Sequence, residues 1–166
     1  MRAPRRSTAL IAAIAIAGAA LIAAPVVAST PATAAPTGSI RINEVESNGG
    51  TPGDWIELLN TGTVDVDLTG YVVKDDKDTS SYVLPAGSIV APGAFLVLDE
   101  LIDGVGHFTF GLGGSDKVRL FDPSLTLVEE RSWTGHAATS MGVRDADGAT
   151  EWIATTASTK GAANTF

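Results

Sequence analysis

From Gly38 onward the apolar residues come in short runs with a repeat close to two, and Gly, Pro and Asp interrupt them every eight to twelve residues. A repeat of two sends alternate side chains to opposite faces of an extended chain, whereas a helix needs apolar residues about 3.6 apart. No stretch carries the helical spacing. Strands are predicted over residues 40–43, 54–60, 69–74, 81–84, 88–90 and 94–98, and further ones over 107–110, 116–121, 126–133, 140–144 and 151–154. Pro85-Ala-Gly87 and Pro92-Gly93 end the strands before them, because proline lacks the N–H a central strand uses. Asp122-Pro123-Ser124 presets one hairpin turn, and Asp147-Gly148 supplies the positive φ values of another. Read as about nine to ten short strands, these eleven runs make the fold class an all-β antiparallel sandwich or barrel, without a repeat long enough for a propeller or solenoid.

The amino end is of another kind. Arg2, Arg5 and Arg6 open the chain, no further charge occurs before Arg41, and residues 9–24 are Ala, Ile and Leu with one Gly. Pro25 and small residues follow. This is the make-up of a cleavable signal peptide over residues 1–34, with cleavage after Ala34 preferred to the alternative after Ala28. Residues 9–28 are uncharged and about as long as a membrane span needs, but alanine inserts only marginally, so cleavage is favoured over anchoring. Residues 35–38 then form a short linker and 39–166 one domain. Without a lipid-bearing Cys or an apolar carboxyl-terminal tail, the expectation is a freely secreted, extracellular product with no stable membrane anchor.

Cleavage sharpens the charge. The three leading arginines leave, eight Lys and Arg face nineteen Asp and Glu, and the net charge moves from −8 to about −11. An acidic domain repels phosphate backbones, so nucleic acid is an improbable partner. The chain has no Cys, so stability must come from a packed core rather than disulfides, which a domain of this length can supply.

The ordered motifs resemble the lamin tail domain, an immunoglobulin-like sandwich. They are Ile42-Asn43-Glu44-Val45, then Asp54-Trp55-Ile56-Glu57-Leu58 with Asn60, then Val66-Asp67-Leu68-Thr69-Gly70-Tyr71. Tyr82 to Gly87, Ile89 to Leu98 with Pro92 and Gly93, Asp116 to Asp122 and a closing Gly161-Ala-Ala-Asn164 continue the match. Lys160 stands where bacterial members of that family usually carry proline. The resemblance implies a domain that contacts protein partners, and chromatin in some animal members; the acidic surface argues against the latter.

Several residue groups are candidates for chemistry. Glu44 is in phase with Ile40 and Ile42, and Glu57 lies between Trp55 and Leu59 on its own face. Carboxylates in apolar surroundings must be bonded or paired, and Arg119, Arg131 and Arg144 are the available bidentate partners. A structural role is favoured over catalysis, because no Cys nucleophile, Gly-x-Ser-x-Gly elbow or His-Glu-x-x-His accompanies the two acids. A small secreted hydrolase is the least favoured class. His107 and His136 stand in unrelated contexts, suggest surface or strand filler, and make a poor transition-metal site. Asp75, Asp76 and Asp78 in one loop, and Asp145 and Asp147 in another, are weak calcium candidates; neither is followed by a bidentate Glu in register. Trp55, Trp133 and Trp152 are weak glycan platforms, since strand tryptophans mostly serve the core. The reading favoured is a non-catalytic, extracellular interaction, adhesion or tethering module without a resident cofactor, whose partner is a cell-surface protein or glycan; calcium binding and glycan binding are the alternatives.

Overall fold

In a computed structural model the described residues are 39–146 and 148–166. The expected signal peptide and linker, and Asp147, lie outside them. Among the described residues eleven strands follow in order: β1 (Ile40–Glu46), β2 (Trp55–Asn60), β3 (Val66–Asp67), β4 (Val72–Lys74), β5 (Tyr82–Val83), β6 (Ile89–Val90), β7 (Phe95–Asp99), β8 (Ser115–Phe121), β9 (Leu127–Thr134), β10 (Met141–Ala146) and β11 (Ala149–Ala154). A five-stranded sheet of order β11-β10-β1-β2-β7 faces a four-stranded sheet β5-β4-β8-β9, and β3 pairs with β6. Every ladder between these strands is antiparallel. The expected all-β sandwich is what the chain forms.

One irregularity decides how the five-stranded sheet is decorated. Ile42 sits opposite Leu58 and Glu44 opposite Glu57, so Asn43 is an extra residue on β1 and the ladder bulges there. A bulge reverses the in-and-out phase of everything after it. Ile40, Ile42 and Val45 therefore face the core, while Arg41, Glu44 and Glu46 share the outer face. The simple alternation that put Glu44 in phase with Ile40 and Ile42 fails at this bulge.

The core lies between the sheets. Ile56, Leu58 and Leu98 join the β1 residues from one side, and Val73, Val118, Leu120 and Trp133 come from the other. Residues 107–110 were expected as a strand; they form only an isolated bridge from Phe108 to Glu100. The alternation there still turns both rings inward, stacked 4.7 Å apart at an interplanar angle of 29°. β3 had no counterpart in the sequence reading, because two residues are too few to show a period.

The punctuation falls where its chemistry requires. Pro85 and Pro92 lie outside the strands, and Gly70, Gly87 and Gly93 take φ values of 79°, 84° and 71° in the connections. In the β8–β9 hairpin the Asp122 carboxylate accepts the Ser124 and Thr126 N–H groups, each at 2.9 Å. The β10–β11 hairpin closes on the pair Ala146 and Ala149, with Gly148 at φ 79°. Asn60 ties three segments together: its amide donates to Val64 O and Val90 O at 2.8 Å, and its oxygen accepts Gly62 N–H at 2.8 Å.

Leu58 has no exposed surface, so Leu58→Ala opens a cavity in close-packed surroundings. The expected loss is about 2–5 kcal/mol. It is measured as a lower urea midpoint at unchanged slope, and an unchanged midpoint would show that the site collapses freely.

Candidate functional site

The outer face of the five-stranded sheet carries an unusual row of acids. Register places Asp99, Trp55 and Glu46 abreast across β7, β2 and β1, then Val97, Glu57 and Glu44, then Phe95, Leu59 and Arg41. The chain after β11 returns across this face as a strap. Its root is held where Thr155 N–H donates to Ser140 O at 2.9 Å and the two hydroxyls meet at 2.6 Å. Farther on, Thr156 N–H donates to Thr165 O at 3.0 Å, closing the strap on itself.

Glu44 and Glu57 are both fully buried beneath it. Glu44 accepts the Ser140 hydroxyl on Oε1, the Thr159 N–H on the same oxygen at 3.0 Å and the Thr159 hydroxyl on Oε2 at 2.6 Å. Glu57 accepts the Asn43 amide at 2.8 Å and the Gly161 N–H at 2.6 Å. Asn164 finishes the seam: its amide donates to Asn43 O and Val143 O at 3.0 and 2.9 Å, and its oxygen accepts Asn43 Nδ2 at 3.0 Å. Gly142, opposite Glu44, is required here, since a Cβ would stand 2.7 Å from Asn164 Nδ2 and 2.9 Å from Thr155 Cγ2.

The expectation of arginine partners for these acids is therefore corrected. Arg119 binds Asp78, Arg131 binds Glu129 and Arg144 binds Glu151, while Glu44 and Glu57 are satisfied by neutral donors. Desolvation explains the choice, because a bidentate arginine would itself have to be buried beside them. The strap carries one cation beside Thr159 and Gly161, Lys160. Its ammonium bonds Asp99 and, at 2.8 Å, Thr51 O, and it lies 5.8 Å above the Trp55 ring. Lys160 is the second residue of a turn closed by Ala162 N–H to Thr159 O at 2.8 Å. Gly161 supplies φ 79° at the third position. Proline and lysine both fit the second position of such a turn, so lysine in place of proline leaves the backbone intact and adds a tether.

The remaining candidates are dispersed. Asp75 accepts Lys77 N–H at 2.9 Å, Asp78 pairs with Arg119 at 2.9 Å, and Asp76 faces Lys77 at 3.8 Å, so their oxygens are turned to separate donors. Asp145 pairs with Arg41 at 2.6 Å. Among the described residues no three His, Cys, Asp or Glu side chains converge as a metal-holding group. Trp55 and Trp133 are only 1% and 6% exposed, which removes the open ring face a sugar needs; both are corrected to packing roles. Trp152 is half-buried against the core, with Arg131 over its ring at 5.7 Å. The histidines do more than fill surface. His107 Nδ1 accepts Asp99 N–H at 3.0 Å, and His136 Nδ1 meets the Ser47 hydroxyl at 3.1 Å.

What stays open beside the strap is a cleft of about 260 Å³. Leu59 and Phe95 line it from the sheet, Arg41 and Arg144 flank it, and Asn164 and Phe166 form its strap wall. The Phe166 ring lies 5.7 Å from the Arg144 guanidinium. Sequence reasoning missed this site, although Asn164 stood among the quoted motifs.

Two antiparallel sheets packed face to face, with the amino-terminal strand central in one and short tight turns between strands, define an immunoglobulin-like β-sandwich domain. The family model of the Lamin Tail Domain matches residues 33–135, the larger part of the chain, and the chain belongs to that family. No curated protein matches it. The matched residues include Asn43, Glu44, Glu57 and Asn60; β10, β11 and the strap with its Gly161 to Asn164 motif follow after them.

Burial pushes the Glu57 carboxyl up from 4.5 to about 7, partly offset by the Asn43 and Gly161 donors and reinforced by the Glu44 charge. Burial also raises Glu46 and Glu129. Groups with raised folded values bind more protons folded than unfolded between the two values, so stability falls as pH rises through that window. Glu57 alone accounts for at most on the order of 3 kcal/mol. The melting temperature is expected to be higher at pH 5.5 than at pH 8; equal values, or the reverse order, would contradict the burial.

Proposed function

We propose that the mature domain works outside the cell as a non-catalytic interaction, adhesion or tethering module, with the cleft beside the strap as its contact site. The observation that carries this reading is the use made of the two central carboxylates. Catalytic acids need a substrate within hydrogen-bond reach, but Glu44 and Glu57 are covered by the chain's own residues and occupied by its donors. Their burial is structural.

The cleft has the composition of a recognition surface. Arginine and aromatic side chains are the residues that most often anchor contacts, and here Arg144, 41% exposed, stands beside Phe166, 39% exposed. A protein partner offering an apolar side chain to Phe95 and Phe166 and a carboxylate to Arg144 fits best. A glycan is the second reading, favoured by the partly exposed Phe166 ring at the same opening, an aromatic surface on which a sugar can stack. The acidic charge disfavours nucleic acid, and export remains part of the proposal through the amino-terminal sequence.

Phe166→Ala and Arg144→Ala are each expected to weaken capture of a cell-surface protein partner at least tenfold, the cost of about 1.4 kcal/mol, with melting little changed. Surface plasmon resonance on the captured partner reads this out. Loss of binding to a polysaccharide array in the same variants would favour the glycan, and unchanged binding in both would move the contact site elsewhere.

A further inference from the structure

At the end of the sandwich away from the cleft, the chain leaving β7 makes a tight finger. Ile102 and Val105 exchange both backbone bonds, N–H to O in each direction at 2.9 Å. Asp103 and Gly104 between them take φ 51° and 82°, and Asp-Gly with both values positive is the two-residue hairpin turn. The root is fixed as well. Leu101 N–H donates to Phe108 O at 2.7 Å and His107 N–H to Asp99 O at 2.8 Å, and Phe108 is buried in the core. Leu101, Ile102 and Val105 stand exposed within these five residues, Val105 to 71%. Asp103 is exposed at the tip and joins no ion pair among the described residues.

The cleft beside the strap complements this finger. At about 260 Å³ it falls below the ~300–1,000 Å³ of small-molecule pockets, so it suits a few side chains rather than a whole ligand. Leu59, Phe95 and Phe166 give it apolar walls. Glu151 takes Arg144 through Nε and Nη2, which leaves Nη1 of this five-donor side chain for a second carboxylate. We propose that the finger of one copy seats in the cleft of another, with Ile102 and Val105 against Phe95 and Phe166 and the Asp103 carboxylate on Arg144, so that copies join in an open chain. The inference rests on the cleft being the contact site and names its occupant as a second copy of this chain.

Charge complementarity and placement select this occupant. Phe95 opens β7 at the cleft and Asp99 closes it, about 13 Å away at ~3.3 Å per residue. The finger continues past Asp99 and lies against Gly53 ahead of β2, where a Cβ would stand 3.1 Å from Ile102 Cγ1. So placed, it cannot fold back into its own cleft. The contact is therefore heterologous: each copy gives one finger and one cleft, and a growing chain keeps one of each open at its ends. A turn already held in one conformation loses little freedom on docking. The acidic net charge opposes approach from a distance, which makes the association weak and dependent on concentration.

Sedimentation equilibrium of the purified mature protein, up to about 1 mM, tests the chain. The mean mass is expected to climb with concentration past that of a dimer. A finger variant, Asp103→Asn with Val105→Ser, and a cleft variant, Arg144→Ala with Phe166→Ala, are each expected to associate at least about tenfold more weakly. Melting is expected to hold, since all four side chains reach the surface. Mixed in equal amounts, the two variants are expected to form a dimer and stop there, because one intact finger and one intact cleft are used up in a single contact. An unmodified protein that stays monomeric throughout, association unchanged in both variants, or a mixture no heavier than its components overturns the proposal. A monomeric protein in which Phe166→Ala still costs capture of a cell-surface partner rejects the second copy and leaves the cleft its role. A cleft variant that alters neither self-association nor capture rejects both readings.

Discussion

Hydrogen bonds from neutral donors onto two buried, facing carboxylates organise the outer half of this domain. Glu44 gathers Ser140 and Thr159, and Glu57 gathers Asn43 and Gly161. Through these contacts β1 and β2, at the centre of the sheet, hold residues more than a hundred positions later in the chain. A buried carboxylate that lost its donors would be left with an unmet desolvation cost of several kcal/mol. The strap and the sheet face are therefore fixed together. The bulge at Asn43 is what makes this possible, since it turns Glu44 from the core side to the face that Glu57 already occupies.

Much of the architecture was legible because it is written in local signals. Alternation placed most strands, and Asp122 and Gly148 marked two hairpins correctly. Asn60 and the glycines and prolines between strands sat where their backbone chemistry places them. The failures have physical causes. A bulge is a single extra residue with no signature in period-two counting, so the phase of Glu44 was misread. Residues 107–110 alternate because Phe108 and Phe110 plug the core, and that needs no neighbouring strand.

The site was less legible than the fold. Sequence reasoning saw that Glu44 and Glu57 needed partners and looked for the strongest ones, the arginines. The actual partners are short polar residues in a segment without periodicity, and a serine or threonine far along a chain carries no mark of what its hydroxyl will meet. The tryptophans were visible as aromatic surface but not as buried surface, and only packing separates the two. Membership of the lamin tail domain family accounts for the sandwich and leaves the function to the surface. The cleft proposed as the contact site has its strap wall set by the same carboxylates.

The central claim is that the buried acids clamp the strap. Native-state hydrogen exchange of the Thr159 and Gly161 amides, followed by NMR at pH 6, tests it most directly. Both N–H groups end on buried carboxylate oxygens, so protection approaching that of Ile56 and Leu58 in β2 is the result this account predicts. Exchange of both at the rate of an unstructured peptide, with the β2 amides still protected, would contradict it.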